Sequence, residues 1–342
     1  MPDFTKWTRA KGPSAGLVQE HFVKRRLAEL DRIGTKIEER MKERIEKFYN
    51  DINAPLEPLE WIKVYDRITD RLQKSQLTIN FHASSWFSTV NDYESYTQMY
   101  ERAKTIYNPA TKSHQTFLQN SGLNPAAVRA GADDKVTFPK NWAGQTQTQR
   151  GLSPGTRSGG SIMNQMAFGT HKTVTRPVKF GDSTMETGIV SDNQRFNPQT
   201  KQLFAALNYG NCPNGGAPSY GDSFLVLEDH FKLNAIYFGS DTFSVAMNKS
   251  PAKEQIPYHN LGAILGTQDA RLMSLYLLQG TILTKTHASN AIILEAHLFT
   301  DLPFAGNIKE VVLAESDTSS DIAENARTFA KKHGAKLFFT TS

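Results

Sequence analysis

Apolar positions recur every three or four residues between residues 17 and 50, at Leu17, Phe22, Leu27, Leu30, Ile33, Ile37, Met41, Ile45 and Phe48. That spacing lines up one apolar stripe and predicts an amphipathic helix or helix pair. The charges between these positions are of both signs, as on a solvated face. Pro55 and Pro58 interrupt the pattern, and a second helix is predicted from Leu59 to Lys74. The period then shortens to two. Leu77-Thr78-Ile79-Asn80-Phe81-His82 alternates as a strand does, and the boundary between a helical N-terminal region, residues 1–76, and a main domain, residues 77–342, is placed there.

Beyond that strand, residues 92–107 read as a helix with Asn91 or Asp92 near its cap. Residues 141–160 are poor in apolar side chains and rich in Gly, Thr, Gln and Ser, which predicts a long loop or lid. Short strands follow at Lys172–Val178, Ala205–Tyr209, Ser223–Leu227 and Ala235–Phe238, then a helix near Asp269–Leu278 and strands at Ala291–Phe299 and Lys309–Ala314. Near the C-terminus Asp321 and Glu324 have capping-box spacing, a helix runs to about His333, Gly334 stops it, and Ala335–Thr340 forms a last strand. No internal repeat is visible. The order of elements implies an α+β fold with a helical N-terminal region.

Composition narrows the class. Hydrophobic residues at 39% and charged residues at 21% exclude wholesale disorder, collagen and coiled-coil arrays. The lone cysteine, Cys212, excludes a disulfide scaffold and a multi-cysteine zinc site, and suits a reducing cytosol. A net charge of +5 would suit nucleic acid, but it is unevenly spread: residues 1–200 carry +7 and residues 201–342 carry −2. The part richest in chemical motifs is therefore slightly acidic, which argues against nucleic acid and for protein docking or export by the basic part. No stretch approaches the roughly 18 apolar residues of a membrane span, so no membrane partner is expected. The first residues, MPDFTKWTRAKGPSAGL, contain no apolar leader, so export would follow a route other than Sec.

P-loop, dinucleotide GxGxxG, HExxH and CxxC motifs are all missing from the sequence. Gly151-Leu152-Ser153-Pro154-Gly155 matches the serine-hydrolase GxSxG in letters only. It lies in the polar loop, without the strand and helix that a nucleophile elbow needs. What remains are polar residues beside apolar strands: Asn80 and His82, Glu186 and Thr187, Asn208 and Tyr209, Ser223 and Phe224, Glu295 and His297. Glu295 carries most information. A carboxylate within Ile292-Ile293-Leu294-Glu295-Ala296-His297-Leu298-Phe299 costs several kcal/mol unless it is paired, for example with His297, His82 or an arginine, or sits in a cleft that uses its charge. Strand alternation puts Ile293, Glu295 and His297 on one face.

Five of these segments, in order, resemble a family of bacterial domains: Leu77 to His82, Met185-Glu186-Thr187-Gly188, Ala206-Leu207-Asn208-Tyr209 with Gly215 to Ser223, Leu294-Glu295-Ala296-His297, and Ile308 to Leu313. A closing helix and strand, Asn325 to Phe339, fit the same pattern, so the resemblance spans about residue 77 to the C-terminus. The family is similar to CteC-type effectors, mono-ADP-ribosyltransferases that use NAD+ to modify a threonine of host ubiquitin and so block ubiquitin conjugation. The resemblance implies an ADP-ribosyltransferase-like split β-sandwich, with Glu295 as catalytic glutamate at the end of an acceptor-recognition loop, Thr281–Asn290. His82 would face the NAD ribose, Tyr209, Ser223 and Phe224 would line the nicotinamide pocket, and Asn80 and Thr187 would complete the NAD contacts. It also implies a protein delivered by a type III-like route and acting in a host cytosol.

The residue types suit that chemistry. Cleaving the nicotinamide–ribose bond develops an oxocarbenium-like centre, the charge problem that glycosidases solve with a carboxylate. The first-strand arginine, the Ser-Thr-Ser strand and the Glu-x-Glu pair of arginine-modifying transferases are missing, the residue two after Glu295 being His297. Three alternatives stay open: an NAD glycohydrolase, a transferase with another protein target, and a non-enzymatic binding module in which Glu295 is structural.

Overall fold

The computed structural model describes residues 27–96, 98, 176–180, 183–187, 203–241, 254, 256–287, 289–298 and 300–341. Most of the helix expected over 92–107, the polar loop 141–160, and Leu17 and Phe22 lie outside these residues. The fold is mixed α+β, with a helical N-terminal part and an eight-stranded sheet.

In chain order the regular elements are α1 (Leu27–Asp51), α2 (Glu60–Lys74), β1 (Gln76–Phe81), α3 (Ala83–Phe87), β2 (Arg176–Phe180), β3 (Ser183–Thr187), β4 (Leu203–Asn208), β5 (Ser223–Leu227), β6 (Ala235–Phe238), β7 (Ile256–Pro257), α4 (Arg271–Gln279), β8 (Leu294–Leu298), β9 (Ile308–Ala314), α5 (Ser320–His333) and β10 (Lys336–Thr340). The large sheet has the order β10-β9-β5-β1-β4-β8-β6-β7, and β2 and β3 form a separate antiparallel pair. The chain divides into two compact units, and the division runs through β1, between Ile79 and Asn80.

The first unit comprises residues 1–79, 202–217 and 229–300. Its helices follow the apolar pattern: α1 buries Ile37, Met41 and Ile45 at four-residue spacing, and α2 buries Trp61, Val64, Tyr65, Ile68 and Leu72. Each such side chain contributes roughly 1.5–3 kcal/mol of hydrophobic stabilisation. Both helices pack on a 3-10 helix, Tyr258–Gly266, kinked at Asn260. Its run of seven buried residues, Asn260 to Gly266, has no amphipathic period, because it is covered on all sides. Gly266 lets α1 approach closely: a Cβ there would lie 2.0 Å from the Ile37 carbonyl oxygen.

Two arginines of α1 fasten this contact. The Arg44 Nη1 group donates to the carbonyls of Leu265 (2.7 Å) and Thr267 (2.8 Å), while the Arg40 Nε group donates to Gly266 O at 2.7 Å. Arg40 also pairs with Glu254 at 2.5 Å, and the other carboxylate oxygen of Glu254 accepts from the Gln268 amide. Burial, followed by the neighbouring Arg40 charge, pulls the Arg44 pKa below its ordinary value. Within the sheet, β4 pairs antiparallel with β1 and β8, and β6 pairs with β8 and β7, so β8 lies between β4 and β6.

The second unit comprises residues 80–201, 218–228 and 301–342. Here β5 pairs antiparallel with β9, and β9 pairs parallel with β10. A parallel pair needs a long crossover, and α5 supplies it, burying Ala326, Phe329 and Ala330. An aromatic cluster fills this core: Phe81 and Trp86 have ring centroids 4.9 Å apart, Phe87 and Phe329 5.4 Å, and Phe304 and Phe329 5.2 Å. The N-cap of α5 is Ser319, whose hydroxyl accepts from the Ile322 amide. It stands two residues before the expected Asp321, which instead places its charge in the first turn where the helix dipole favours it. Gly334 ends the helix in the left-handed conformation, φ 74°, as the sequence predicts.

Candidate functional site

Glu295 lies on β8 between two partner strands, opposite Ala206 of β4 and Phe238 of β6. All five residues of β8 are buried, and the Glu295 side chain keeps 10% of its surface exposed. Two positions along the strand points to the same face, and the Nε2 atom of His297 lies 3.5 Å from Glu295 Oε1. The His297 ring is fully buried against two aromatics, Phe204 with centroids 4.9 Å apart and Phe238 at 4.3 Å. These contacts fix the imidazole, and with it the carboxylate beside it. Of the partners considered for Glu295 from sequence, the structure brings His297 to it.

The start of β8 and the loop before it are fastened to their neighbours through polar side chains. Arg71 of α2 donates to Leu277 O, at the end of α4, and to Tyr209 O, just past β4, at 3.1 and 3.0 Å. The Tyr209 hydroxyl donates to Ile292 O at 2.9 Å, and the Leu283 amide donates to Gly210 O at 2.8 Å. Burial raises the Tyr209 pKa well above that of a free phenol, so this hydroxyl stays a donor. Loop 281–290 therefore leaves from a fixed base. Its residues Thr284, Lys285 and Thr286 are exposed. Sequence reading gave Arg71 no role. No local signal marks it, because the two carbonyls it answers belong to Leu277 and Tyr209, 206 and 138 positions away.

Asn208 closes the turn after β4: its Oδ1 accepts from the Cys212 amide at 2.8 Å and its Nδ2 donates to the Cys212 carbonyl at 2.9 Å. Asn211 has φ 48° within this turn. Asn208 is therefore a turn-former, the two-point role that an amide side chain can fill and a carboxylate cannot.

The remaining candidates belong to the second unit. His82 does not continue β1; it follows the strand, half-buried, as the residue before α3. The strand ends at Phe81 because the Ala83 amide is taken by the Asp317 carboxylate at 2.5 Å, which starts the helix instead. Asn80 donates from Nδ2 to Gly221 O at 2.8 Å. Gly221 has φ 140°, and a Cβ there would lie 2.2 Å from the Phe81 carbonyl carbon, so the Gly221 of the motif serves close backbone packing. Ser223 is fully buried, its hydroxyl accepting from the Ala314 amide at 3.1 Å, and Phe224 is buried with Val226 and Val312. Thr187 ends β3 opposite Arg176.

The predicted set thus falls into Glu295 and Tyr209 in the first unit and Asn80, His82, Thr187, Ser223 and Phe224 in the second. Among the described residues no cluster of three His, Cys, Asp or Glu could hold a metal ion, and no helix is long and apolar enough to cross a membrane. No protein-family model matches the chain, and a comparison with curated proteins finds no match.

Proposed function

We propose that the chain is an NAD-dependent mono-ADP-ribosyltransferase with an ADP-ribosyltransferase-like split β-sandwich, in which Glu295 is the catalytic carboxylate. The observation that carries this reading is a glutamate held on an interior strand, with 10% of its side chain exposed, a fixed imidazole at 3.5 Å, and an exposed loop just before it in the chain. The ordered motifs that resemble the CteC-type effectors support it and add the acceptor, a threonine of host ubiquitin, together with non-Sec delivery into a host cytosol.

In this reading Glu295 accepts a hydrogen bond from the ribose 2′-hydroxyl and offsets the positive charge that develops at C1′ as nicotinamide leaves. The same carboxylate then helps take the proton from the acceptor hydroxyl, which is a poor nucleophile at neutral pH. His297, packed between two aromatic rings, holds the carboxylate in place. Asn80, Ser223 and Tyr209 each make a hydrogen bond to a backbone group of the chain.

The Glu295–His297 contact also favours a second reading, a structural ion pair inside a non-enzymatic binding module. Glu295→Gln separates the two. The transferase reading expects wild-type protein to release nicotinamide from NAD+ and to add the mass of one ADP-ribose to purified ubiquitin, and expects Glu295→Gln to lower both by about 100-fold or more with unchanged circular dichroism. Nicotinamide release without an adduct on ubiquitin would favour a glycohydrolase or another target. No release by the wild type, or an unaffected Glu295→Gln, would overturn the enzymatic reading.

A further inference from the structure

Loop 281–290 carries a second chemical constellation, formed by Thr284, Thr286 and His287. The Thr284 backbone amide donates to His287 Nδ1 at 3.0 Å. An amide can only donate, so Nδ1 is the unprotonated ring nitrogen and the neutral ring carries its proton on Nε2. Thr284 Oγ1 lies 2.9 Å from the same Nδ1, and Thr286 Oγ1 lies 2.6 Å from Thr284 Oγ1. With Nδ1 unable to donate, the hydroxyls order themselves in one direction: Thr286 donates to Thr284, and Thr284 donates to the imidazole. The His287 ring is held in this position by the edge of Tyr276, centroids 5.7 Å apart, and by its own amide donating to Thr284 O at 2.9 Å. An exposed hydroxyl with a positioned base is the arrangement that turns a threonine into a nucleophile.

We propose that Thr284 is a modification site on the protein itself, accepting ADP-ribose from NAD+ with His287 as the base. This rests on the transferase reading above. The Thr284 oxygen bonds to C1′ of the ribose as the C1′–nicotinamide bond breaks with its electron pair. Nicotinamide departs neutral, and the hydroxyl proton passes to His287 Nδ1, which gives up the bond from the Thr284 amide as the ring releases its Nε2 proton to water. The exposed Lys285 lies beside the acceptor in the chain and offers its charge to the pyrophosphate of the donor. The adduct would occupy the loop that the family resemblance assigns to acceptor recognition, so the modification would limit the enzyme's own activity.

The test uses the full chain incubated with NAD+ alone, with nicotinamide release followed alongside intact mass and fragmentation of the peptide that contains residues 281–290. The expected result is one ADP-ribose on Thr284, lost in Thr284→Val, retained in Thr284→Ser, and formed about 100-fold more slowly in His287→Ala. Nicotinamide release without an adduct on Thr284, or an adduct that survives Thr284→Val, overturns this inference and leaves the transferase reading standing. No nicotinamide release at all, in the presence or absence of ubiquitin, overturns both.

Discussion

Arg44→Met tests whether α1 is held by hydrogen bonds as well as by its apolar stripe. The substitution keeps most of the aliphatic stem and removes a guanidinium that donates to Leu265 O and Thr267 O at 2.7 and 2.8 Å. Both acceptor residues are fully buried while Arg44 is half-buried, so water replaces the lost donor only in part. A hydrogen bond to a charged group contributes about 1.5–3 kcal/mol, which puts the gross loss at about 3–6 kcal/mol. Against this, the burial and the Arg40 repulsion that depress the Arg44 pKa are relieved when the charge is removed. The net expectation is about 2–4 kcal/mol of destabilisation. With a urea m-value of about 3 kcal/mol per molar, the unfolding midpoint followed by far-UV circular dichroism falls by about 1 M. Arg44→Lys should recover less than half of this, because the shorter lysine stem does not carry its ammonium to the place where Nη1 donates to both carbonyls. A midpoint within about 0.2 M of wild type, or a rise, would show that desolvation of the arginine cancels its bonds, and the clamp would have to be abandoned as a source of stability.

Three further outcomes follow from buried groups. His333 is buried against Phe329 and Phe304, with ring centroids 4.5 and 5.5 Å away, and burial followed by the Lys332 charge lowers its pKa below the ordinary 6.5. The unfolded state then binds the proton more readily, so the stability that the neutral ring contributes is full above about pH 6.5 and is lost as pH falls below it. Thermal melts at pH 7.5 and 5 should show this slope and show it flattened in His333→Leu; an unchanged slope would assign acid sensitivity to other groups. Asn208→Asp keeps the acceptor for the Cys212 amide, sets a carboxylate against the Cys212 carbonyl, and should cost about 2–4 kcal/mol by chemical denaturation; a smaller loss than in Asn208→Ala would refute the two-point role. Gly221→Ala should fail to give soluble folded protein, since its Cβ would meet backbone at 2.2 Å with φ at 140°, whereas Gly306→Ala, with φ 71° and no atom within 4 Å, should lose only about 1–2 kcal/mol. Similar solubility and melting of the two variants would contradict this.

Much of the fold was legible because it is written in local periods. The four-residue steps Ile37, Met41, Ile45 gave α1, and the switch to alternation at Leu77 gave β1. Ser223–Leu227 and Ala235–Phe238 have the bounds that the sequence predicts, since turn residues flank both. The 3-10 helix Tyr258–Gly266 has no such signature: packed against α1, α2, α4, β6 and β7, it shows no polar face over Asn260–Gly266 from which a period could be read. β1 ends one residue before the alternation predicts, for a related reason. His82 is extended and looks like strand, but the residue that stops pairing there is Asp317, more than 230 positions away, which takes the Ala83 amide.

The site separates in the same way into what desolvation reveals and what only contact reveals. Glu295 was conspicuous because a carboxylate among aliphatic neighbours must be answered by something, and the structure answers with His297 two residues along the same strand. Asn208, Ser223 and Asn80 look equally chemical in the sequence, yet each bonds to a backbone group brought near by the fold: Cys212, Ala314 and Gly221. A buried amide or hydroxyl satisfied by backbone leaves the same letter in the sequence as one aimed at a ligand, because both must be paired. The Thr284–His287 cluster is the reverse case. Its exposed residues carry no hydropathy signal, and only the 2.9 and 3.0 Å contacts to Nδ1 distinguish a nucleophile and its base from four polar letters in a loop.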